Sequence, residues 1–173
     1  MKTWERGQLV CAVRGQAVRA PIYEEKIMSI SVDILKRVPL FANLNSEELA
    51  QIAHICAEEQ APAGALLIEQ NTTGTAMYII AKGSVDVFIS GLNDARSLVV
   101  LGKGQVIGEM ALIDQGYRSA SVKVTQGETS LYRVESKDFF DLCERNNHIG
   151  YIVMRNLAVD VAFKLRHRNL AEF

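Results

Sequence analysis

Glu109 and Arg118, nine positions apart, are the two residues whose types and surroundings most suggest chemistry. Gly102, Gly104 and Gly108 precede the acid, and Met110, Ala111 and Leu112 follow it. Arg118 is followed by the small residues Ser119, Ala120 and Ser121. Arginine carries a permanent charge on a planar fork that can grip two oxygens of one anion, a geometry lysine does not reproduce. A carboxylate repels such an anion, so Glu109 either serves another part of a ligand, as an acceptor for a hydroxyl, or only pairs with Arg118. Gly108 lets the backbone come close to whatever is bound.

Other chemistries find weaker support. His54, His148 and His167 lie far apart and lack the His-x-His pairing of a metal-binding strand, so no metal site and no catalytic residue is assigned. No Gly-x-Ser-x-Gly nucleophile turn occurs. Cys11, Cys56 and Cys143 are scattered and odd in number, which reads as idle thiols in a reducing cytosol and gives a cytoplasmic expectation. The 19 Lys and Arg against 20 Asp and Glu leave a net charge of −1, with no compact basic run to track nucleic-acid phosphates. No apolar stretch approaches the ~20 residues of a membrane span. At 173 residues and 49% hydrophobic composition, a single core suffices without disulfides or a structural metal.

The elements that must position Glu109 and Arg118 follow from periodicity. Residues 1–30 read as an N-terminal extension, with Met28 as an alternative start, and 31–173 as the domain. Helical spacing over 32–38 is expected to stop at Pro39. A second helix is capped by Asn45 or Ser46, carries Glu47 and Glu48 at its positive end, and presents Leu49, Ile52, Ala53 and Cys56 as one apolar face. Between 61 and 135 the pattern turns to short glycine-punctuated β runs at 65–69, 76–81, 84–89, 97–101, 118–124 and 129–134, the signature of a small antiparallel barrel or jelly roll. Val85, Val87 and Ile89 alternate with Asp86, Phe88 and Ser90, which predicts one buried and one wet face. Ser136 is then expected to cap a short helix carrying Phe139, Phe140, Leu142 and Cys143, loosening near Asn146 and Asn147. A longer helix follows, with Ile149, Val153, Leu157, Val161 and Leu165 spaced by four. Its basic end of Lys164, Arg166, His167 and Arg168 suits the negative pole of the helix. The long apolar stripe has a second use as a helix-to-helix homodimer seam.

The segment from Gly102 to Leu112, with Tyr117, Arg118, Ser119, Ala120 and Ser121, resembles the phosphate-binding cassette of cyclic nucleotide-binding domains. In that family a Gly-Glu pair opens a short helix, and an Arg followed by small residues lies about nine positions after the Glu. The order of Gly64, Gly74, Met77, Tyr78, Ile80, Gly83, Val85 and Val87 extends the resemblance, which covers roughly 35–169. It implies a mainly β fold with flanking helices, an antiparallel jelly roll of the cupin-like double-stranded β-helix kind, with N-terminal helices and a C-terminal helical lid. Three positions depart from the pattern: Ile107 replaces a frequent Phe, Tyr117 makes the rim bulkier, and Asn71 stands where Gly is common, an exchange that Asn's tolerance of the left-handed region allows.

By this resemblance the ligand-binding residues are Gly108, Glu109, Met110, Ala111, Arg118, Ser119 and Ala120. Arg118 and the amides opening the short helix take the cyclic phosphate, with Ser119 adding a hydroxyl. Glu109 accepts the ribose 2′-hydroxyl, and Ala111 and Ala120 keep the wall thin. Arg168 and Asn169 are the residues expected near the purine edge. The ligand is cyclic AMP in preference to cyclic GMP, and no other cofactor is implied. The function expected is a non-enzymatic sensor whose lid helices signal to a protein partner or second subunit. With only a few residues after Arg168, no direct DNA binding is expected, and a domain acting alone through a partner is favoured. Two alternatives stay open: a metal-dependent jelly-roll enzyme, and a degenerate domain in which Glu109 and Arg118 form only a salt bridge.

Overall fold

A computed structural model describes residues 30–91, 95–114, 116–125 and 127–171, the last five without their side chains. The expected N-terminal extension, except Ile30, lies outside the described residues.

The chain enters through α1 (Val32–Leu35), where the Ser31 hydroxyl accepts from the Asp33 amide. This helix ends earlier than its spacing suggests. Pro39, expected only to stop a helix, begins a 3₁₀ turn (Pro39–Phe41), because its fixed φ is already set for a first helical position. Asn45 caps α2 (Ser46–His54) reciprocally: its side chain accepts from the Glu48 amide at 3.0 Å, and Glu48 accepts from the Asn45 amide at 2.9 Å.

Eight antiparallel strands follow: β1 (Cys56–Ala61), β2 (Leu66–Ile68), β3 (Ala76–Lys82), β4 (Ser84–Ser90), β5 (Ala95–Gly102), β6 (Val106–Ile107), β7 (Ser121–Val124) and β8 (Thr129–Glu135). They form two four-stranded sheets in the orders β1-β8-β3-β6 and β2-β7-β4-β5, the interleaving of a jelly roll. Cys56 therefore leaves the α2 face on which the sequence put it and opens β1. That strand escaped notice because its residues, two glutamates and a glutamine among them, show no β-type run; its register against β8 decides the matter. Only Val85 of the expected β4 stripe is fully buried; Val87 packs partly against the core and Ile89 is half-buried.

The first sheet is covered on both faces. Met77 and Ile79 of β3, with Tyr132 and Val134 of β8, pack against the helices, whereas Ile80 and Leu131 face the second sheet. A strand buried on both sides needs a continuous apolar run, and β3 supplies one.

Two helices close the chain, α3 (Ser136–Arg145) and α4 (Asn147–Ala171), meeting at Asn146. Ser136 is not the cap of α3 but its first residue. It is 1% exposed, donates its hydroxyl to the Ala111 carbonyl at 2.9 Å, and gives its amide to the Thr75 carbonyl. Ile149, Val153 and Leu157 are buried in the helical core, Val161 only partly, and Leu165 is 57% exposed. The expected seam is thus half used inside the molecule. Because α4 runs to Ala171, Lys164 sits well inside the helix rather than at its C-terminal pole. Among the described residues, no helix is long and apolar enough to cross a membrane.

Candidate functional site

The site is built on the bend between β6 and β7. Gly108 adopts a left-handed φ of 68° and opens a single 3₁₀ turn (Glu109–Leu112) whose Ala111 and Leu112 are buried. Glycine takes this left-handed conformation without strain. The amide of Ala111 donates to the Gly108 carbonyl, so that one donor of the turn is already engaged.

Arg118 reaches the same place from the loop before β7. Its backbone is fixed on both sides: the amide donates to the Thr72 carbonyl at 2.8 Å, and its carbonyl accepts from the Asn71 amide at 2.9 Å. Asn71 holds φ 65°, the left-handed conformation expected of it. The Arg118 guanidinium donates through Nη1 to the Gly108 carbonyl at 3.1 Å and through Nη2 to the Ala76 carbonyl at 2.6 Å. It carries more N–H donors than those two carbonyls occupy, so some remain for an anion. Burial lowers its pKa, and the carboxylates of Glu109 and Glu135 oppose that shift.

Two glycines form the slot that holds this side chain. A Cβ at Gly74 would lie 2.0 Å from Arg118 Nε, and one at Gly108 would lie 2.6 Å from Nη1. Gly108 thus makes room for the arginine itself, a use the sequence did not reveal. Gly74 read only as a turn residue, and no signal in the linear order could have linked it to Arg118.

A cavity of about 820 Å³ opens beside the slot, lined by Gly108, Glu109, Met110, Ala111, Arg118, Ser119 and Ala120. Every expected ligand residue with a described side chain is brought to this one wall. Val87, Leu98, Val99, Leu101 and Val122 of the second sheet line another wall, and Asn156, Leu157, Val159, Asp160, Phe163 and Lys164 of α4 contribute a third. These α4 residues were missed, because nothing in a helical stripe says which turn faces a distant loop. The expected base-reading side chains, Arg168 and Asn169, lie outside the described residues.

Glu109 and Arg118 are not partners of each other. The Glu109 side chain is 13% exposed and accepts from Lys164 Nζ at 2.8 Å, while Lys164 also meets Asp160 at 2.7 Å. Lys164, read from the sequence as part of a dipole-complementing tail, is instead an ion-pair partner. Burial works to lower its pKa, but Asp160 and Glu109 raise it overall, so the ammonium is held charged. This arrangement removes the simple Glu109–Arg118 salt bridge as the reason for the pair. Elsewhere, burial pushes the Cys56 thiol up to about 12, which suits an idle thiol. No three His, Cys, Asp or Glu side chains converge on a metal-sized site among the described residues.

A slotted arginine with spare donors, a partly buried carboxylate and a helix across the opening share one cavity of the size that small ligands occupy. The sequence profile described as cyclic nucleotide-binding domain matches residues 58–146, and the chain belongs to that family. The cyclic AMP receptor protein of Thermus thermophilus is 34% identical over 137 residues, covering 79% of this chain and 61% of that protein. The cGMP-dependent protein kinase, isozyme 1, of Drosophila melanogaster is 32% identical over 121 residues, covering 66% of this chain and 16% of the kinase. The crystal structure of the Thermus thermophilus catabolite activator protein superposes with a TM-score of 0.69 at 34% identity, covering 77% of this chain and 61% of that one. The chain therefore spans less than two thirds of the length of these relatives.

Proposed function

We propose that this chain takes cyclic AMP into the cavity between its second sheet and α4, and passes occupancy to a protein partner or second subunit through α4, without catalysing a reaction. One observation carries the reading: the Arg118 guanidinium is held by two carbonyls between two glycines at a cavity wall that Glu109 shares. A cyclic phosphate matches the donors Arg118 retains, and a ribose 2′-hydroxyl matches the acceptor on Glu109. The cavity volume lies within the range of small-molecule sites.

Cyclic AMP is preferred over cyclic GMP on the pattern around Arg118. The hydroxyl of Ser119 follows the arginine, as in the bacterial cyclic AMP-binding regulators that the sequence resembles. The names of the two relatives above include one nucleotide each, so both ligands belong in the test. Signalling through α4 is supported by its place on the cavity and by Ser136, which ties the 3₁₀ turn of the site to the start of α3. Ligand and partner must then favour the same α4 position, so each raises the affinity of the other.

Calorimetric titration with cyclic AMP and cyclic GMP tests this reading. Wild-type chain is expected to bind cyclic AMP more tightly. Arg118→Ala should raise Kd roughly thirtyfold or more, since it removes one partner of a desolvated charge pair, and Glu109→Ala should raise it less. Equal affinity of wild type and Arg118→Ala would overturn the site.

A further inference from the structure

Glu109 has two claimants. Its carboxylate is the acceptor proposed for the ribose hydroxyl, yet in the structure its Oε1 already accepts from Lys164. The two residues are 55 positions apart, and the lysine belongs to α4, so satisfying Glu109 in this way draws the helix across the cavity. With its side chain 13% exposed, Glu109 is costly to leave without a partner, whereas Lys164 at 55% could take water instead. Asp160, one turn earlier on α4, holds the same ammonium from behind at 2.7 Å and keeps it beside the helix that carries it.

We propose that Lys164 is a latch that competes with the ligand for Glu109 and thereby sets the affinity of the site. This inference rests on the binding reading above and adds to it a residue that works against binding. A ligand that draws the Glu109 carboxylate onto its own hydroxyl weakens the hold of Lys164, and in doing so it releases α4 from the site. Occupancy is converted into helix release at the one carboxylate both contacts share.

The sign of a single substitution separates this role from the ordinary one. A lysine that contacted the phosphate would aid an anionic ligand, and its loss would weaken binding. A latch opposes the ligand, and its loss tightens binding. Lys164→Met keeps the apolar stem and removes the charge. It is expected to lower the Kd for cyclic AMP about two- to tenfold, a modest factor because the lysine is half exposed. Lys164→Gln should move Kd in the same direction.

Three measurements on the full chain decide the matter. The tightening must vanish when Lys164→Met is made in a Glu109→Gln background, where no carboxylate remains to be latched. Without nucleotide, backbone amides of 158–166 must exchange hydrogen faster in Lys164→Met than in wild type. Titration of Arg118→Ala shows independently whether the site itself is real. If Lys164→Met binds as wild type or more weakly while Arg118→Ala still weakens binding as expected, the latch is wrong and the binding site stands. Tightening that persists in the Glu109→Gln background also overturns it, because the gain then does not pass through Glu109. If neither wild type nor Lys164→Met takes up cyclic AMP or cyclic GMP, the binding reading falls and the latch falls with it.

Discussion

Arg118 is useful only because two glycines let it lie where it does. Gly74 and Gly108 come from separate turns, and their missing side chains form the walls of its slot. Gly74→Ala places a methyl 2.0 Å from Arg118 Nε, and the flexible arginine can yield more easily than the backbone. The fold should therefore survive while the guanidinium is displaced. Expected outcomes are a circular dichroism spectrum like that of wild type and a Kd for cyclic AMP raised roughly ten- to hundredfold, the scale of a misplaced charged group. Unchanged affinity in a folded Gly74→Ala variant would show that the slot is not needed. At this scale the linear order gave the arginine, the acid and the left-handed turns at Gly108 and Asn71. It hid Gly74's role and the Lys164 partner, which meet only across sheets and helices.

The helices are tied to one another by a polar contact as well as by apolar burial. His148, at the start of α4, lies 2.6 Å from Glu48 of α2, an acid that is 6% exposed and also closes the cap with Asn45. Burial pushes the Glu48 carboxyl up, but the Asn45 amide and His148 together hold it below its ordinary 4.5. A carboxyl whose pKa falls on folding stabilises the folded chain above its unfolded value, and loses that contribution as pH falls through the lowered value. Glu48→Gln keeps the capping acceptor but loses the charge that faces His148 and the positive end of α2, so it should cost about 0.5–1 kcal/mol at neutral pH, and the gap to wild type should narrow as the pH is taken below 4.5. Thermal melts of both chains across that range measure it, and a gap constant with pH would remove Glu48 ionisation as the cause. Helix periodicity located α2, α3 and α4, but strand β1 and the end of α1 were misread, because register against β8 and the turn at Pro39 outweigh local spacing.

For the molecule as a whole, the cavity belongs to neither half alone. The second sheet and the β6–β7 bend give its walls, and α4 crosses it. Beyond Leu157, α4 turns Val159 and Phe163 toward the cavity, packs Val161 only partly on the core and leaves Leu165 57% exposed. Leu165, the exposed end of the apolar stripe, gains by burial against a second surface, and a second copy of the chain is the proposed occupant. Sedimentation velocity at tens of micromolar should show a dimer that Leu165→Glu converts to monomer. A wild-type monomer under those conditions would reject the seam and leave signalling to a different partner.

Local physics wrote several things into the sequence by itself: glycine-bounded strands, two helical ends, and an acid and an arginine nine residues apart in a family pattern. Each depends on neighbours within a turn or two, where propensity, capping and periodicity act. Only the tertiary structure decided that Gly74 frames Arg118, that Ser136 joins the site to α3, and that Lys164 rather than Arg118 partners Glu109. Those contacts bring together segments tens of residues apart, and their pairing is set by how sheets and helices pack, a choice that no short window of sequence contains.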